Sequence, residues 1–116
     1  MARFVILEHD HPTRHWDLML EQGDSLRSWR LAAGPQMGVA VDAEAISDHR
    51  TAYLEYEGPV SGGRGQVRRW DAGEFVFLVD TPEKVNILLC GGRCKGSAVL
   101  ERGTGEGWSF TLRNEK

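Results

Sequence analysis

An antiparallel β-barrel of about eight strands, flanked by short helical turns, is the fold class that this sequence predicts. Three observations predict it. Apolar or alternating runs recur along the chain, and Gly, Pro and Asp breaks separate them at the spacing of a sandwich or barrel. No stretch sustains a helical period. Fourteen glycines among 116 residues suit a chain that turns often. This length makes one domain, residues 1–113, with 114–116 as a tail, and such a chain buries roughly two-thirds of its extended surface without staples.

The elements follow in order. Phe4-Val5-Ile6-Leu7 is a short apolar strand. Residues 15–21 alternate, with Trp16, Leu18 and Leu20 on one face and His15, Asp17, Met19 and Glu21 on the other. Gly23-Asp24 turns the chain into a second arm at 26–31, completing a hairpin. Residues 33–48 are irregular, and they predict a loop with one helical turn around 43–45. Residues 52–56 are strand-like, Gly58-Pro59 is a break, and 61–65 form a Gly-rich loop. Further strands are expected at 66–70, 74–79, 84–90, 94–101 and 108–112. The turns between them fall at Asp71-Ala72-Gly73, Thr81-Pro82-Glu83, Gly91-Gly92 and Gly103-Thr104-Gly105.

Composition narrows the function. The net charge of −3 gives no global basic signature for nucleic acid. Eleven of the fourteen basic residues are nonetheless Arg, the side chain suited to bidentate phosphate contacts. Arg64, Arg68 and Arg69 lie beside the Gly-rich loop, either as a solvated strand edge or as a local phosphate patch. The start of the chain lacks the marks of a signal peptide, and no apolar run approaches the ~20 residues of a membrane span. A cytoplasmic protein is the expectation. Cys90 and Cys94 do not have the spacing of a redox or zinc motif, and are read as two reduced, partly buried thiols.

Three of the four histidines, His9, His11 and His15, fall within seven residues and next to Asp17. His15 and Asp17 share a strand face, roughly 6.5–7 Å apart at Cα. His9 closes the first strand and completes a three-ligand set if the intervening loop folds back. Two imidazoles and one carboxylate leave coordination positions open and suit Mn²⁺, Fe²⁺ or Zn²⁺. The packed Trp16, Leu18 and Leu20 face would hold His15 and Asp17 on a rigid element. His11, beside Pro12 in mid-loop, is expected to be solvent-exposed. His49 and Tyr53 form a second pair: a histidine able to act as an acid and a hydroxyl able to donate to a phosphate oxygen.

Together, Phe4-Val5-Ile6-Leu7-Glu8-His9, His15-Trp16-Asp17-Leu18-Met19-Leu20-Glu21, Ser28-Trp29, Gly34-Pro35, Asp48-His49, Tyr53, Glu57-Gly58, Trp70-Asp71-x-Gly73 and Gly92-x-Cys94-x-Gly96 resemble the 3′-phosphoesterase module of bacterial DNA ligase D. The resemblance runs from about Arg3 to Leu112. It implies a β-barrel and a Mn²⁺-dependent enzyme that removes a terminal ribonucleoside and then the 3′-phosphate. It implies DNA or RNA-tipped DNA ends as partners; a monomer is expected, and whether a separate ligase or polymerase joins it is left open by the sequence. Carried over by position, His9, His15 and Asp17 resemble the metal ligands, His49 the phosphate-side catalytic histidine, and Tyr53 its hydroxyl partner.

Three basic positions of the family are occupied here by Met19, Ala33 and Val41. The metal half of the site is thus intact and the phosphate-clamping half depleted. Arg14, Arg30, Arg50 and Arg64 are the candidates to replace the clamp. Arg30, of opposite strand parity to Ala33, is expected to face away from it. Two functions follow: an active phosphoesterase with a rewired phosphate pocket, or a non-catalytic metal-binding barrel that binds nucleic-acid ends or a repair partner.

Overall fold

A computed structural model describes residues 2–103 and 107–114. Nine strands fill most of it: β1 Ala2–His9, β2 His15–Gln22, β3 Ser25–Leu31, β4 Val41–Arg50, β5 Gly58–Pro59, β6 Gln66–Asp80, β7 Lys84–Gly91, β8 Lys95–Arg102 and β9 Trp108–Arg113. One turn of 3-10 helix, Thr51–Leu54, follows β4. Every strand pair is antiparallel. The order β1-β2-β3-β4-β9-β8-β7-β6 is closed by pairing of β1 with β6, so eight strands make a closed barrel and the two-residue β5 lies beside β6. Closure removes the unpaired edges of an open sheet.

Alternation along the strands builds two cores. The inward residues, among them Phe4, Ile6, Leu18, Leu20, Trp29, Leu31, Phe75, Ile87, Leu100 and Phe110, fill the barrel. The opposite face of β1–β3 is buried as well: Val5, Leu7, Met19 and Leu26 pack with Leu54 and Val67, and Tyr53 and Val60 lie against them. The segment after β4 thus covers one outer wall of the barrel. Hydrophobic alternation in β2 predicts one packed face; the second exists because the 51–65 segment lies over it.

Three local expectations are overturned. Residues 43–45 are in the middle of β4 and form no helical turn. Only Val41 and Ala43 of that strand are buried, and its far half carries exposed Ser47, Asp48 and Arg50. Its first half does alternate, Val41, Ala43 and Ala45 against Asp42 and Glu44, but the apolar residues there are mostly small and the pattern stops at Ile46, so pairing with β3 and β9 does much to specify the strand. Residues 52–56 are not a strand, because Tyr53 and the adjacent Leu54 both pack on the second core, which consecutive strand residues cannot do. Asp71-Ala72-Gly73 is not a turn but continuous β6. Gly73 is required there by close approach: a Cβ would meet the Cys90 carbonyl oxygen at 2.1 Å. The expected turn at 103–105 lies mostly outside the described residues.

Asp71 explains the neighbouring turn. Its buried carboxylate accepts from the backbone N–H groups of Gly92, Arg93 and Cys94 at 2.8, 3.0 and 2.8 Å. Replacing Asp71 with alanine removes all three bonds at once. A loss of roughly 3 kcal/mol is expected in urea unfolding, with Mn²⁺ affinity unaltered. The cysteines remain unbonded: Cys94 is buried, whereas Cys90 is exposed rather than partly buried. Burial, and after it the charge of Asp71, push the Cys94 thiol up to about 12, so it is inert.

Candidate functional site

Register on the covered wall sets the site. On β1 the outward row is Val5, Leu7 and His9; on β2 it is His15, Asp17 and Met19; on β3 it is Leu26, Ser28 and Arg30. His9 pairs with His15, and Leu7 with Asp17. Asp17 in turn pairs with Arg30, and Met19 with Ser28. A cleft of about 260 Å³ opens over these rows. Its apolar floor includes Leu7, Met19 and Val67, and Tyr53, Val60 and Arg64 border it from the overlying segment.

His9, His15 and Asp17 each offer one ligand atom, and all three atoms lie within 4.8 Å of one another. Asp17 Oδ2 is 3.3 Å from His15 Nε2 and 3.9 Å from His9 Nδ1. The rings meet edge to face with centroids 4.8 Å apart. The far nitrogen of each ring is already occupied. His15 Nδ1 donates to the Thr13 carbonyl at 2.9 Å, and His9 Nε2 donates to the Arg64 carbonyl at 2.8 Å. In these tautomers the near nitrogens carry lone pairs aimed at Asp17. Such outer hydrogen bonds orient metal-binding imidazoles and raise their basicity. His15 Nε2 and Asp17 Oδ1 are buried without hydrogen-bond partners. Two lone-pair nitrogens and a carboxylate oxygen converging in a buried site fit a divalent ion, which would satisfy donors that otherwise stay costly.

His49 stands on the neighbouring strand. A register shift between Leu26 and Ser28 in the β3–β4 pair brings it next to Ser28. The Ser28 hydroxyl donates to the Leu26 carbonyl and accepts from His49 Nδ1, both at 2.9 Å. This leaves Nε2 as the lone-pair nitrogen. Burial, chiefly, holds the imidazole below its ordinary value of 6.5, and Arg30 lowers it further; Asp17 and Asp48 oppose the shift. His49 is therefore neutral at pH 7. Tyr53 lies edge-on to it, with ring centroids 5.5 Å apart.

Comparison with known proteins supplies the deciding observation: residues 7–102 match the DNA Ligase D 3′-phosphoesterase domain. The chain belongs to this family. It is 33% identical over 97% of its length to the multifunctional non-homologous end joining protein LigD of Mycobacterium bovis, of which it spans 16%. It is 33% identical over 72% of its length to LigD of Pseudomonas aeruginosa, of which it spans 10%. Like the match, the barrel accords with the 3′-phosphoesterase resemblance of the sequence.

Within this member of the LigD phosphoesterase family, the structure brings His9, Asp17, His49, Tyr53 and Arg64 to one cleft, while His15 stands beside Asp17 and lines the adjoining groove. It does not bring the other two cations there. Arg14 turns to Glu8, at 3.2 Å, and is exposed. Arg50 lines a neighbouring hollow with Tyr53 and Tyr56. Arg64 borders the cleft, but its guanidinium donates to the carbonyl and hydroxyl of Ser61. Asp10 accepts from the Gln66 N–H at 2.8 Å and so ties down the start of the loop after β1. Gly65, at φ +73°, leaves the space that Asp10 occupies; a Cβ there would lie 2.2 Å from its Oδ1.

Two residues stand elsewhere than expected. His11 is half-buried and lines the cleft, with its ring 6.5 Å from that of His9. Arg30 does not face away: it lines the cleft, with Nε 3.8 Å from Asp17 Oδ1. The parity argument fails because Ala33 lies beyond the end of β3, where alternation no longer holds. Counting from Trp29 and Leu31, which point into the barrel, places Arg30 on the covered wall. Ser28 was legible only as a motif residue; its bond to His49 depends on the shifted register.

Proposed function

We propose that this chain is a metal-dependent phosphoesterase that processes the 3′ ends of DNA or RNA-tipped DNA in end-joining repair. Removal of a terminal ribonucleoside and of a 3′-phosphate are the reactions inferred. Membership of the DNA Ligase D 3′-phosphoesterase family supports end processing. The observation that carries the metal-dependent chemistry is the trio His9, His15 and Asp17, whose inward nitrogens are freed by hydrogen bonds on the outward ones. Mn²⁺ is the ion proposed, since mixed imidazole and carboxylate donors accept it. Bound there, such an ion polarises a phosphoryl oxygen and makes water a stronger nucleophile.

The remaining steps belong to the protein. His49, neutral and with Nε2 unprotonated, can only accept at that atom until it gains a proton. It takes the proton released by the attacking water and passes it to the leaving oxygen. Its depressed basicity makes the second transfer favourable. Ser28 holds the ring in register for both. Tyr53 donates its hydroxyl to a non-bridging phosphate oxygen. The apolar floor of Leu7, Met19 and Val67 lowers the local dielectric and strengthens these contacts.

The test is an end-trimming assay. One primer–template ends in a single 3′-ribonucleotide and another in a 3′-phosphate, each with Mn²⁺ and with chelator. Mn²⁺-dependent shortening and phosphate release are expected. Tight Mn²⁺ binding without trimming would replace this function with a non-catalytic, metal-binding barrel that holds nucleic-acid ends. Among the described residues no helix is long and apolar enough to cross a membrane.

A further inference from the structure

We infer that Arg30 is the residue that grips the phosphate of a nucleic-acid 3′ end, holding it from β3 against the centre formed by His9, His15 and Asp17. The inference rests on the phosphoesterase function proposed above and names the cation on which that function depends.

Four observations carry it. First, Arg30 and Asp17 are register partners on adjacent strands, so both side chains rise from the same wall. Second, the two carboxylate oxygens of Asp17 divide their tasks: Oδ2 faces the imidazoles, and Oδ1 faces Arg30. An anion spanning the metal centre and Arg30 would therefore touch two positive groups across one carboxylate. Third, Arg30 is uncommitted. Its Nε is buried and makes no hydrogen bond, and the 3.8 Å approach to Asp17 is an ion pair too long for one. Arg64, the other arginine at the cleft among its lining residues, already donates to Ser61. Fourth, charge favours the cleft side. Arg30 also borders a second groove, but there Asp42 and Glu44 offset Arg30 and Arg14, whereas the cleft sets Arg30 and Arg64 against the single carboxylate of Asp17.

The geometry also accounts for Met19. Met19 is a buried residue of the second core and brings no charge to the cleft it lines. Asp17, two residues before Met19, faces β3, and a guanidinium on β3 reaches that carboxylate from across the strand pair. A planar guanidinium suits a phosphate better than an ammonium, because its donors match two oxygens at once.

The test uses the full chain in a His49→Ala background, in which turnover is expected to be about 10²–10⁴-fold slower. Two labelled primer–templates, one ending in 3′-phosphate and one in 3′-hydroxyl, are titrated by fluorescence anisotropy with Mn²⁺ present. Mn²⁺ affinity is measured separately by electron paramagnetic resonance. Adding Arg30→Ala should leave Mn²⁺ affinity within about twofold and reduce the preference for the phosphate end by about tenfold or more. Arg30→Lys should retain part of that preference. A preference unchanged by Arg30→Ala overturns the inference alone. A fall in Mn²⁺ affinity with the preference kept also overturns it, and makes Arg30 a support for Asp17. Absence of any phosphate preference in the parent, with Mn²⁺ bound, overturns the proposed function together with the inference.

Discussion

Alanine in place of Asp17 should abolish Mn²⁺-dependent trimming and weaken Mn²⁺ binding by at least about tenfold. Loss of an outer partner to a metal ligand alone typically costs 10–100-fold in affinity, and Asp17 is the central group of the trio. It is 3% exposed and lies between both imidazoles and Arg30. Its removal takes the only carboxylate from the set and leaves Arg30 without its counter-charge. His9→Ala should also lower affinity, since it removes one inward nitrogen while His15 and Asp17 stay on β2. Isothermal titration with Mn²⁺, alongside the trimming assay, checks both variants. Unchanged affinity in either would refute the ligand assignment.

His49→Ala should separate binding from chemistry. Mn²⁺ affinity should stay near the parent value, while turnover falls by about 10²–10⁴-fold, the usual contribution of a positioned acid–base group. The pH profile gives an independent check. Burial holds folded His49 below the ordinary 6.5, so the acid limb of kcat/KM should lie below that value. The same shift bears on stability. Below pH 6.5 the unfolded chain takes up this proton before the folded chain does. Stability contributed through His49 therefore falls as pH drops through that window, and no penalty remains above it. Urea midpoints for parent and His49→Ala should converge on acidification, apart from a constant offset. Parallel midpoints at every pH would show that His49 titrates normally.

Much of this was legible in the sequence, and for identifiable reasons. The His15-x-Asp17 spacing predicts a shared face because side chains alternate with a period of two, and β2 is regular from end to end. His9 was accessible because it ends an apolar strand whose hairpin partner begins at His15. The tight turns at 81–83 and 91–92 show in composition, since Gly and Pro act locally. What stayed hidden was tertiary. β4 alternates only over residues 41–45 and mostly with small apolar side chains, so most of its length is recognised through its neighbours. Asp71-Ala72-Gly73 has turn chemistry, yet Asp71 serves the turn of another hairpin and Gly73 makes room for it. Arg30 is misplaced when its face is counted from Ala33, a residue outside the strand. The Ser28–His49 bond depends on a one-residue slip in the β3–β4 ladder, which no side-chain period reports.

The two acceptors that hold His9 and His15 in their tautomers are the carbonyls of Arg64 and Thr13. Neither acceptor is a side-chain group. Position 13 should therefore tolerate wide substitution in a mutational scan scored on metal retention, position 64 less so because its guanidinium ties the loop to Ser61, and changes in chain path should not be tolerated. A proline or a one-residue deletion within 61–65 would swing the acceptor away from His9 without touching a ligand. Part of this site is thus inherited as a backbone trajectory, and a comparison of side-chain identities alone would count those positions as free to drift.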